Sequence, residues 1–125
     1  MFSHGVASGD PLPDAVIIWT RITVPGTDPQ DVFWEVATDK DFKDRVAAKT
    51  AKTGPDSDFT VKVDVTGLKP ATDYFYRFWF LGRSTTVGRT RTAPEGKVDA
   101  FKAAFCSCAH FTSGWYVSYR GIAEQ

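Results

Sequence analysis

Gly67-Leu68-Lys69-Pro70-Ala71-Thr72-Asp73-Tyr74-Phe75-Tyr76-Arg77 runs from a turn into an aromatic strand, and this junction decides the fold. Pro70 fixes a backbone angle and withholds an N–H, so the chain turns here. The run from Tyr74 to Leu81 (YFYRFWFL) is nearly all apolar or aromatic and reads as a central strand of a packed sheet, buried on both faces. Upstream, Phe59, Val61, Val63 and Val65 alternate with Thr60, Lys62 and Asp64, the pattern of an antiparallel strand with one wet side.

Working outward, Gly5 to Pro11 is a short strand ending in a Gly-Asp-Pro turn. Ala15 to Ile22 is the strongest strand, with Val16, Ile18 and Thr20 on one face and Ile17, Trp19 and Arg21 on the other. The Trp19 face is expected to carry the core. Val32 to Thr38 alternates Val32, Trp34 and Val36 against Phe33, Glu35 and Ala37, and Asp39 to Asp44 is expected to form one helical turn. Arg45 to Thr53 is polar, and its lysines suit an edge strand. Thr85 to Thr92 is the last strand before the linker Ala93 to Lys97. About seven strands separated by turn signals read as an all-β antiparallel sandwich of immunoglobulin or fibronectin type III kind. The turn quoted above resembles the Leu-x-Pro-x-Thr-x-Tyr signature of fibronectin type III domains. That resemblance implies that Leu68 plugs the core, that Tyr74 bonds back to the backbone as a tyrosine corner, and that Trp19 is the core tryptophan.

The bulk composition agrees. With 42% hydrophobic and 24% charged residues the chain is globular, and no uncharged apolar run is long enough for a membrane span. The 15 basic and 15 acidic residues cancel, which argues against nucleic acid as a partner. The start, Met1-Phe2-Ser3-His4-Gly5, has no signal-peptide pattern, and Met1 is expected to stand where an export signal has been removed.

After residue 94 the pattern changes. Ala100 to Cys108 (AFKAAFCSC) reads as an apolar strand and Thr112 to Gln125 as the start of a helix. A strand feeding a helix is the first unit of an α/β domain, because parallel strands need crossovers and covered faces. The expected division is therefore 1–94, a sandwich, and 95–125, a linker plus the first strand and short helix of a truncated domain. The tail is expected to pack on the sandwich, to swap into a neighbouring chain as a homo-oligomer, or to be partly disordered.

Chemistry-bearing residues are few. His4 reads as an ordinary polar residue, and Asp10, Asp14 and Asp28 as turn residues. Cys106 and Cys108 lie at a strand end, where α/β folds place ligands, and a thiolate there suits a transition metal or a nucleophile; buried, inert cysteine is the alternative. His110 follows in a position typical of binding loops.

Phe2 to Pro11, with Asp14 to Arg21 (DAVIIWTR), resembles the opening of the alkaline phosphatase D family, which has a GVASGDP segment and a V-x-x-W-T-R strand. Phe105-Cys106-Ser107-Cys108 and Gly114 to Arg120 are similar to that family's entry into its catalytic domain. The resemblance implies a secreted, periplasmic or cell-wall phosphomonoesterase or phosphodiesterase, exported often by the twin-arginine route. It also implies a metallophosphoesterase core with iron and calcium and a metal-ligand role for Cys108, the partner of this sandwich being the missing C-terminal catalytic domain. One thiolate cannot build a two-metal site, so this chain alone is expected to bind no cofactor and to be inactive. The alternative is a free-standing fibronectin-type module binding glycans or cell surfaces.

Overall fold

The computed structural model describes residues 1–107 and 116–124. Eight strands are formed: β1 (Val6–Gly9), β2 (Ala15–Arg21), β3 (Gln30–Ala37), β4 (Arg45–Thr53), β5 (Thr60–Thr66), β6 (Asp73–Phe80), β7 (Arg83–Ser84) and β8 (Gly88–Arg91). They make an antiparallel sandwich. One sheet has the order β1-β2-β5, and the other has β4-β3-β6, with β6 paired to both β7 and β8. The polar strand β4 lies at an edge, where its lysines discourage further pairing.

Alternation builds the core. Val32, Trp34 and Val36 of β3 and Tyr74, Tyr76, Phe78 and Phe80 of β6 point inward against Val16 and Ile18 of β2 and Val61 and Val65 of β5. The Tyr74 hydroxyl accepts the Lys69 N–H at 2.9 Å, forming the tyrosine corner, and Leu68 is buried as expected. Gly88 lies opposite Tyr76 across β6 and β8, and a Cβ there would fall 2.3 Å from the tyrosine ring. The absent side chain lets the ring lie flat over the strand, and its hydroxyl reaches Ser8 of the opposite sheet.

Several expectations are corrected. The core face of β2 is that of Val16, Ile18 and Thr20, all buried, whereas Trp19 is half-buried on the outer face. The cause is register: Val16 and Thr20 pair with the inward residues Val65 and Val61, while Trp19 pairs with Lys62 and Ala7. The core tryptophan is Trp34. β6 is central, but only its inward face is fully buried; Phe75, Arg77 and Trp79 are half-buried. Residues 39–44 form no helix, because the Asp39 carboxylate accepts the N–H groups of Asp41, Lys43 and Asp44 at 2.8–3.2 Å and folds them into a tight turn. The last strand is split, since the Thr85 hydroxyl rather than the backbone accepts the Phe78 N–H at 3.1 Å.

In the tail, 101–107 is exposed and forms no strand, since no neighbouring strand among the described residues supplies a ladder. A helix is present as α1 (Val117–Ala123), shorter than the sequence pattern, and its residues are exposed, so packing of this tail on the sandwich is not observed among the described residues.

Replacing Gly88 by alanine should drive a methyl into the Tyr76 ring and destabilise the chain by about 1–3 kcal/mol. Tyr74→Phe, which only removes the corner bond, should cost about 1 kcal/mol. Urea unfolding of both variants checks the order.

Candidate functional site

The chain leaves the sandwich at Ala93, held there by a set of backbone and side-chain hydrogen bonds. The ends of β1, β5 and β8 and the starts of β2 and β6 meet at this pole. Leu12 donates its N–H to Ala15 O at 2.9 Å, and its carbonyl accepts the Ala93 N–H at 3.1 Å. Ala71 N–H reaches Ala93 O at 3.0 Å, and Leu68 N–H reaches Asp14 O at 2.9 Å. Thr92 is buried, and its hydroxyl donates to Lys69 O at 2.6 Å while accepting the Thr72 N–H at 3.0 Å. Two loops, β1–β2 and β5–β6, thus close around the departing strand. Tyr74 anchors the knot through Lys69.

The outer face of the five-stranded sheet is closed by its own side chains. Glu35 is almost wholly buried, and its Oε1 accepts Arg77 Nε at 2.6 Å and Trp79 Nε1 at 2.8 Å, while Oε2 faces Arg45 Nη1 at 3.4 Å. The Arg77 guanidinium stands 3.9 Å from the Phe42 ring centroid and 4.8 Å from the Trp79 ring, held between them. Burial pushes the Glu35 carboxyl up, but the hydrogen bonds from Trp79 and Arg77 and the charges of Arg77 and Arg45 outweigh it, and the net direction is down. Sequence reading passed over Glu35; a charge in each of two apolar neighbouring strands, Glu35 and Arg77, was the available signal.

At the opposite pole His4 is exposed, and its Nε2 lies 2.6 Å from Arg21 Nη1, consistent with an ordinary polar role. Arg21 also pairs with Asp58 at 2.8 Å, and this hydrogen bond leads the causes that hold the Asp58 carboxyl low. Cys106 is exposed, with its thiol beside the Tyr119 hydroxyl. Cys108 and His110 lie outside the described residues. Among the described residues no three His, Cys, Asp or Glu side chains converge to hold a metal ion.

The profile of the "PhoD-like phosphatase, N-terminal domain" matches residues 1–94. The chain belongs to the PhoD-like phosphatase N-terminal domain family. Alkaline phosphatase D of Bacillus subtilis (strain 168) is 38% identical over 133 residues, covering 99% of this chain but 23% of the relative. A solved structure of PhoD superposes with a TM-score of 0.91 at 34% identity, covering 99% of this chain and 26% of that one. This PhoD-like domain chain thus spans about a quarter of the length of these relatives. The sensor domain of the anti-sigma factor RsgI4 from Pseudobacteroides cellulosolvens shares the fold alone, at 13% identity and a TM-score of 0.53 over 72% of this chain and 92% of that one.

Because the folded-state pKa of Glu35 is lowered, its contribution is complete above the unfolded value of about 4.3 and is lost as pH falls through the folded value. Between about pH 6 and pH 3 the wild-type Tm should therefore fall more steeply than that of Glu35→Gln. Asp39 and Asp58, also lowered, supply the slope that remains. Glu35→Ala at neutral pH should cost about 3 kcal/mol, since it strands Arg77 between two rings.

Proposed function

We propose that this chain is the non-catalytic front domain of a secreted, metal-dependent alkaline phosphatase or phosphodiesterase, and that its role is to carry and brace the catalytic domain that follows residue 94. The observation that supports this reading is the reach of the similarity: it covers 99% of the chain, and so runs past the sandwich into the tail, in a relative about four times as long. On this reading residues 1–94 are the sandwich, and 95–125 are the linker and the first strand and helix of the hydrolase domain. Residues 101–107 pair only when the rest of that domain's sheet is present.

Cys108 supplies one thiolate to the metal centre of the hydrolase domain, and the other ligands come from polypeptide beyond this chain. Soft thiolate suits iron, whereas the calcium expected beside it takes oxygen ligands. The bound metals would polarise the phosphate ester.

The 125-residue chain should hydrolyse neither p-nitrophenyl phosphate nor bis-p-nitrophenyl phosphate, and the longer polypeptide should hydrolyse at least one in a chelator-sensitive manner. Cys108→Ser in the longer polypeptide should lower its bound iron by elemental analysis. Chelator-resistant turnover, or full iron content in the variant, would contradict the assignment.

A further inference from the structure

The outward face of the three-stranded sheet is unusual for a surface that meets water. Strand β2 turns Ile17 and Trp19 outward, and both remain only half-buried, with no layer of the described residues over them. Their cross-strand neighbours on β1 are Gly9 and Ala7, whose small side chains leave the rings and branches accessible, and on β5 they are Asp64 and Lys62. A solvated antiparallel face ordinarily alternates polar residues outward. Here the middle of the outward row holds an isoleucine and a tryptophan.

This face continues into the pole where the chain departs. Asp10, Pro11, Leu12, Ile17 and Asp64 line a hollow of about 420 Å³, with the Leu12 side chain 56% exposed at its lip. The Leu12 carbonyl is the group that clamps Ala93, so the departing chain is delivered to the edge of the hollow. From Ala93 to Phe101 an extended chain spans at most about 28 Å, which keeps whatever follows beside this patch. On the other broad face Phe33, Phe75 and Trp79 are also half-buried, but there Arg77 and Trp79 are engaged by Glu35, and Phe42 lies against the Arg77 guanidinium.

We propose that the outward face of β1-β2-β5, from Trp19 to the Leu12 hollow, is the surface on which the following phosphatase domain docks. The inference rests on the function proposed above. Its occupant is a surface element of that domain carrying an apolar side chain that enters between Leu12 and Ile17, flanked by a lysine or arginine that meets the Asp10 and Asp64 carboxylates. The segments that open the family pattern, GVASGDP and VIIWTR, then form this surface, with Trp19 as its aromatic anchor.

Hydroxyl-radical footprinting read by mass spectrometry on the 125-residue chain and on the longer polypeptide tests the assignment. Trp19 and Leu12 should lose most of their labelling in the longer polypeptide, while Trp79 and Val87 stay unchanged. Leu12→Glu should leave the Tm of the 125-residue chain unaltered and lower that of the longer polypeptide. Equal labelling of Trp19 and Leu12 in both, protection of Trp79 instead, or no Tm change in the longer variant would overturn the proposal. Metal-dependent phosphatase activity in the same longer sample separates the two failures: if it is present only the docking face is wrong, and if it is missing the functional reading falls as well.

Discussion

A single hydroxyl, that of Tyr74, holds together the region on which the rest of this architecture depends. It accepts the Lys69 N–H and so fixes the loop between β5 and β6, whose other polar groups then bind Thr92, Ala93 and Asp14. Backbone groups at a strand exit must find partners, and here two loops supply them. The last strand of the sandwich consequently ends in a defined direction, against Leu12, instead of trailing into a free linker. On the function proposed above, a domain that presents another needs that fixed exit more than it needs a cavity.

The two broad faces of the sandwich differ in how their outward side chains are engaged. On β3 and β6 the outward positions hold Phe33 and Phe75 beside Glu35, Arg77 and Trp79, of which the last three bond to one another, and Phe42 covers the guanidinium. Such a cluster leaves little surface energy for a partner to gain. On β2 the outward positions hold Ile17 and Trp19, which no other described residues cover. Burial of apolar area there is available to whatever the chain carries next.

Much of the fold was legible because the alternation in β3 and β5 and the Leu68-to-Tyr74 turn admit one reading each. β2 was not, since both of its faces are apolar: Val16 and Ile18 compete with Ile17 and Trp19, and only the register with β5 decides which pair is inside. Side-chain substitution for backbone bonding was equally hidden. Asp39 replaces a helical turn with a carboxylate-centred one, and Thr85 divides the last strand with its hydroxyl. For residues 100–108 the apolar pattern is that of a strand, but a strand exists only beside another, and a pattern carries no information about whether its neighbour is present. The candidate docking face is hidden for the same reason as β2: a tryptophan in an apolar strand reads as core, and only its outward placement makes it a candidate for an interface.

Native-state amide hydrogen exchange at Thr92 and Ala93 tests most directly whether the exit is clamped. Both amides donate within the knot, to Thr72 O at 3.1 Å and to Leu12 O at 3.1 Å, and they should exchange with protection close to that of the β6 core amides. Exchange at the rate of an unstructured linker, with the β6 amides still protected, would show a loose exit and contradict the account.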